Sequence, residues 1–300
     1  MHSRVLATFS FVVSGATFAG AQMVDGPASS KRVVSIGVLY AHDQWDRYWE
    51  GTLKRGNGNI GTFTAQSVTV AAAYAIADHF GVTMSLPYIE TQVSEGTLEG
   101  QHGIQDLSLA ASFRVFAGRD ERRGDISVDL AGSAAIPASH YTPDLLPLSI
   151  GTAGRRVSAG ATAHFQSHVW WFADASAAYT WRADVKLDRN AYYTDGVLHE
   201  TNVVSMPDVT DYSFTIGAAH ARWSMPLSIV QQLTLGGGDV RRQDVPFVSN
   251  RMNFTSVAGT LVYELPGNVS IRGGAGRVLN GRNVGQSTTL TSGVSYDIRF

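Results

Sequence analysis

Ten ionisable residues of this 300-residue chain, Asp106, Arg114, Asp129, Arg156, Asp174, Arg182, Glu264, Arg272, Asp297 and Arg299, fall on the polar side of segments in which polar and apolar residues alternate. Charges placed this way can serve catalysis, hold a metal, or line a hydrated or ion-paired interior. The first two uses need convergent sets, and few are found. Of nine histidines, only His42 clusters locally with carboxylates, Asp43 and Asp46. On an extended strand His42 and Asp46 share a face, which would make at most a weak surface cation site and better suits a solvated loop base. A hydrolase at the rim would need a serine beside a histidine with an orienting acid or amide, yet His164, His168 and His220 have no serine motif next to them. The run Gly56-Asn57-Gly58-Asn59-Ile60-Gly61 has dinucleotide-loop spacing. That fingerprint must follow a strand and open a helix, whereas this run precedes a strand and reads as a turn. The chain has no cysteine, which excludes disulfides and thiolate chemistry. No catalytic residue, metal ligand or cofactor is expected, and the ten charges are left with an interior to line.

Composition says what kind of interior. Only 16% of residues are charged, against roughly 25% in ordinary chains, while the mean hydropathy of −0.03 is far too low for a helical membrane bundle. Aromatics at 10% and a net charge of −2 exclude disorder and give no case for nucleic acid.

A period of two runs along the chain. Phe80, Val82, Met84, Leu86 and Tyr88 alternate with Gly81, Thr83 and Ser85, and Ile126, Val128 and Leu130 alternate with Ser127 and Asp129. Successive strand side chains point to opposite faces, so each such segment is a strand with one apolar side. Twelve are expected, over 33–49, 60–76, 80–92, 104–116, 126–137, 155–165, 169–183, 209–222, 227–240, 251–264, 268–279 and 287–300. The connections alternate long and short. Short ones centre on Ala77-Asp78-His79, Gln166-Ser167-His168, Ser224-Met225-Pro226 and Pro266-Gly267, with Ala117 to Asp125 an exception of intermediate length. An even number of strands with alternating loop lengths is the pattern of an antiparallel up-and-down transmembrane β-barrel with short periplasmic turns and longer extracellular loops. Pro87 conflicts with this, since a closed barrel has no free edge for a residue without an N–H. A bulge is expected there.

Export agrees. His2 and Arg4 precede the apolar run Val5 to Ala16, and Ala19-Gly20-Ala21 forms an A-x-A site. This reads as a signal peptide over residues 1–21, too short to span as a helix. A short periplasmic segment, 22–32, would lead into a barrel over 33–300 in the outer membrane. Tyr74, Tyr88, Phe113, Phe165, Trp171, Trp181, Tyr212 and Tyr296 would form interfacial girdles. Tyr296, Ile298 and Phe300 share one face at the chain end, the form of an assembly signal read by the barrel assembly machinery. If the apolar face meets lipid, the ten charges face a lumen. Arg114, Asp129, Glu264, Arg272, Asp297 and Arg299 would fall toward its periplasmic half, as a filtering constriction or as a salt-bridge network joining strands.

Three stretches carry a family likeness: Tyr74 to Tyr88, ending Leu-Pro-Tyr; Gly103-Ile104-Gln105-Asp106-Leu107 opening a strand; and Leu148-Ser149-Ile150-Gly151-Thr152-Ala153-Gly154. From residue 60 to 185 the chain resembles the outer-membrane barrels of the MetA-pathway (phenol-degradation) family, with Gln105 in place of the usual second glycine. The resemblance implies passive movement of small, aromatic solutes and supplies no catalytic residues. The leading expectation is an outer-membrane channel for small molecules whose partners are outer-membrane lipids, the assembly machinery and the solute. A structural or receptor-type barrel acting through its long loops is the alternative, and a rim hydrolase is disfavoured.

Overall fold

The computed structural model describes residues 32–194, 196–241 and 246–300, so the expected signal peptide lies outside the described residues. Twelve long strands carry the fold: β1 (Val33–Trp45), β2 (Phe63–Ala77), β3 (Phe80–Val93), β4 (Asp106–Asp120), β5 (Gly124–Pro137), β6 (Arg156–Ser167), β7 (Trp171–Arg182), β8 (Val209–His220), β9 (Trp223–Thr234), β10 (Asn253–Leu265), β11 (Val269–Arg282) and β12 (Thr288–Arg299). Each pairs antiparallel with its sequence neighbours, and β12 pairs back onto β1 from Val33↔Arg299 to Gln44↔Thr288. The sheet is therefore a closed barrel without an edge.

Which face is which follows from exposure. On β5, Ile126, Leu130 and Ile136 are 45–51% exposed, while Ser127, Asp129 and Ala135 are 8% exposed or less. Water would drive the opposite arrangement. The apolar sides point out because the surrounding medium is hydrocarbon, and the polar sides point in. The aromatics named above, with Phe165 half-buried beside Trp171, take the outward face as well.

Turns at one end are Asp78-His79, Glu121–Arg123, His168–Trp170, Ala221-Arg222 and Pro266–Asn268, while 46–62, 94–105, 138–155, 183–208, 235–252 and 283–287 join strands at the other. The expected asymmetry holds, with corrections. The intermediate connection at 117–125 shrinks to three residues, because Arg119 and Asp120 pair with Asp125 and Gly124 as strand ends. Strand nine starts at Trp223, not 227. Its turn is made by Ala221 in a left-handed conformation (φ 54°) and Arg222. Pro226 lies inside that strand, opposite Gly217. The ladder to β10 passes from Ser224↔Val262 to Leu227↔Gly259 without a pair at Pro226, so no N–H is required there. β1 ends at Trp45, and the rest of its expected length, 46–49, goes into a separate hairpin in which Arg47–Glu50 pairs with Leu53–Gly56.

Pro87 does mark a bulge. Its carbonyl accepts the Gln105 N–H at 2.9 Å, so its nitrogen edge faces β4. Between Ser85↔Ser108 and Tyr88↔Ile104, two residues of β3 oppose three of the neighbouring segment, and the extra residue lies opposite the proline. One additional residue in the partner relieves the missing donor.

Candidate functional site: the inner wall of the barrel

The inward charges form two layers. Toward the end with short turns, Arg114 on β4 meets Asp129 on β5 through Nε at 2.9 Å and Nη2 at 3.3 Å. The two residues are directly opposed across the ladder, so their pairing follows from register alone. Asp174 on β7 contacts the Nδ1 of His164 on β6, its direct cross-strand partner. Nearby, Phe172 covers Gly217 of β8, where a Cβ would lie 2.3 Å from the ring. Ser35 Oγ donates to Asp297 at 2.6 Å across the β1–β12 seam. Glu264 and Arg272, half-buried on adjacent strands, each have an interaction partner, and Arg299 is exposed at the rim.

The second layer sits at the ends with long loops. Asp106, the first residue of β4, accepts Arg156 Nη1 and the Tyr141 hydroxyl, each at 2.6 Å. The Tyr141 oxygen in turn accepts the Ala153 N–H at 3.0 Å. Burial and then the adjacent Asp106 charge hold the Tyr141 phenol above its ordinary pKa. Arg182, at the top of β7, donates through Nε to the Pro207 carbonyl at 2.5 Å, and its backbone N–H meets Asp208 at 3.0 Å. Each of these ties a strand top to the base of a long loop.

Comparison with solved structures matches this architecture. An outer-membrane channel from Pseudomonas putida F1 aligns over 90% of this chain and 96% of its own, with a TM-score of 0.71 at 14% identity. The NanC porin aligns over 86% and 98%, with a TM-score of 0.50 at 9% identity. The fold is an outer-membrane β-barrel. No family model and no curated protein matches the sequence itself, so the likeness is one of architecture.

The barrel's long loops pack over its mouth. Loop 138–155 is held inward by Tyr141, by Thr91 Oγ1 donating to the Leu148 carbonyl at 2.5 Å, and by Ser139 bonding the Ile104 carbonyl. Leu148 and Ile150 are buried. Val185, Leu187, Tyr192, Val204 and Met206 of loop 183–208 form an apolar cluster with Phe247 and Val248 of loop 235–252, against Leu146. Tyr192 is stacked between His199 and Phe247, with centroids at 4.8 and 5.2 Å. An Arg189–Asp144 ion pair joins two of the loops.

Asn283 is the junction for the others. It adopts φ 55°, a conformation asparagine tolerates better than most residues. Its Oδ1 accepts the Gly51 and Val240 N–H groups at 2.8 and 3.0 Å, and its Nδ2 donates to Asp239 and to the Arg251 carbonyl, both at 2.8 Å. Asp239 also takes both arms of Arg282, at 2.7 and 2.6 Å. Arg282's hydrogen bonds, then Asn283's, hold the Asp239 carboxyl down at about 2, from an ordinary 3.8. A depressed acid contributes its stabilisation above its unfolded value and loses it as pH falls through the folded one. Hydrogen exchange at Gly51 and Val240, corrected for intrinsic rate, should stay slow above about pH 4 and quicken progressively as pH falls from there through about 2. Asp239→Asn should exchange fast at neutral pH; unchanged protection would show that the carboxylate does not hold the junction.

Of the ten sequence-derived charges, the fold brings together Arg114 with Asp129 and Asp106 with Arg156, and gives Asp174 and Asp297 neutral or titratable partners. Asp43 of the weak cation candidate is taken up by Ser287 and Thr289 at 2.9 and 2.5 Å, and no metal-like cluster occurs among the described residues. No Ser–His hydrogen bond occurs among them either: the His168 ring bonds the Asp120 carbonyl. Sequence reading missed Tyr141 and Asn283. For Asn283 the signal was present, an asparagine in a short Gly- and Asn-rich connection, where left-handed residues concentrate.

Proposed function

We propose that this barrel is an outer-membrane channel for passive movement of small molecules, without catalytic or cofactor chemistry. The observation that carries the reading is the inversion of polarity: an apolar face outside, with serine, threonine and paired charges facing an enclosed interior. A receptor or scaffold barrel shares the apolar outer face and a polar inner wall, so passage of solute is what separates the two readings. The likeness to the Pseudomonas putida channel supports the architecture, and the fold supports placement in the outer membrane. Asp106, Arg114, Asp129, Arg156, Asp174, Arg182, Glu264, Arg272, Asp297 and Arg299 are proposed to line the route. Small aromatic solutes are the class that the sequence resemblance to the MetA-pathway barrels implies. Tyr296 and Phe300, both exposed on the outward face with half-buried Ile298 between them, suit docking to the assembly machinery.

Planar-bilayer recording and liposome swelling with sugars, small aromatics and fatty acids test this. Discrete conductance steps and swelling with at least one solute class are expected. Folded protein that gives neither would overturn the channel reading.

A further inference from the structure

The outward face of β11 breaks its own pattern once. Ile271, Gly273 and Ala275 point out into the belt, and Arg277 follows them on the same side, exposed and without an ion pair or hydrogen bond to any described residue. An arginine facing hydrocarbon is costly at the bilayer midplane and nearly free at the interface, so depth decides its meaning. The lower girdle is marked by Tyr296, paired with Val269, and Arg277 stands eight residues further up the strand. At about 3.3 Å per residue and a tilt near 40°, that is about 20 Å, close to the top of a belt about 25 Å tall.

The neighbouring strands turn polar at the same ladder positions. Arg277 pairs with Thr288, and Thr288 with Gln44, so an arginine, a hydroxyl and an amide stand side by side on three strands. Two residues below in the same ladders come Ala275, Leu290 and His42, and below those Gly273, Ser292 and Tyr40. Tyr40, two rows down, stands about 10 Å lower by the same arithmetic, and the Arg277 row lies near the top of the belt, where lipid headgroups begin.

We propose that Arg277, with Thr288 and Gln44, binds a phosphate group carried by an outer-leaflet lipid. A guanidinium matches phosphate in charge and in its forked donor geometry. Thr288 supplies a hydroxyl and Gln44 an amide to the remaining oxygens, and no carboxylate occupies the row to compete. The site is on the outside of the wall and is independent of what passes through the lumen.

Native mass spectrometry of the full barrel in neutral detergent, with added lipid A or its dephosphorylated form, tests the proposal. The wild type should retain lipid A and release the dephosphorylated lipid. Arg277→Gln should retain about fivefold less, the effect of one arginine at an anionic membrane surface. Arg277→Lys should fall between them, and Arg119→Gln, at the opposite rim, should match the wild type. Equal retention by Arg277→Gln, or equal retention of both lipids, would overturn the site, and competition by millimolar inorganic phosphate would reassign it to a free anion. A melting shift of the wild type with lipid A but not with the dephosphorylated lipid gives a readout that needs no variant; its absence would also count against the site.

Discussion

Asp106→Ala is expected to destabilise the barrel by about 3–5 kcal/mol, the cost of removing one member of a buried ion pair. Asp106 is 1% exposed, and Arg156, its partner at 2.6 Å, keeps only a tenth of its side chain exposed. Alanine leaves that guanidinium in the wall with no counter-charge, its Nε already without a partner. The same change releases Tyr141, and with it one anchor of loop 138–155. Tyr141→Phe separates the two effects. It keeps the ion pair, removes the hydroxyl's two hydrogen bonds, to Asp106 and from Ala153, worth together about 2 kcal/mol, and frees the loop alone. Unfolding in guanidinium should rank wild type, Tyr141→Phe and Asp106→Ala in falling stability. If the channel reading is right, both variants should conduct more than the wild type. An Asp106→Ala barrel as stable as the wild type would show that the ion pair contributes nothing.

Leu130→Arg addresses the membrane itself. Leu130 points outward near the middle of β5, about half exposed and directly opposite Phe113 and Ala161. In lipid an arginine there should cost about 2–4 kcal/mol, seen as a lower folded fraction in vesicles by heat-modifiable gel mobility. In water the same change would be neutral or favourable, so the sign of the effect reports the solvent outside. Ala131→Ser, one residue along and facing inward, should leave the folded fraction unchanged. A stable Leu130→Arg barrel would contradict the assignment of the outer face.

The strands were legible because parity is local. Alternation on β5 or β12 needs no knowledge of the neighbouring strand, and it assigns Asp129 and Asp297 to the inner face directly. What each charge meets was not legible, because partners depend on register. Arg114 and Asp129 find each other across one three-residue turn, whereas Asp106 reaches Arg156 over fifty positions and a folded-in loop. Pro226 misled for a related reason. A proline in a strand usually signals a break, but here the ladder passes it without needing its nitrogen. In sequence the hairpin Arg47–Gly56 looks like strand followed by loop, because its short alternation continues that of β1 with no punctuation before Gly51.

The seam between β1 and β12 fixes when this molecule can exist. Val33 has no barrel partner on that side until Arg299 is in place, so the first strand of the wall to be made waits on the last. Loop-closure entropy opposes such distant pairing until the intervening strands have ordered. No growing stretch of this chain can close early, and every intermediate carries two unpaired edges open to aggregation. Closure of the wall must therefore follow the making of β12, however early the hairpins between pair.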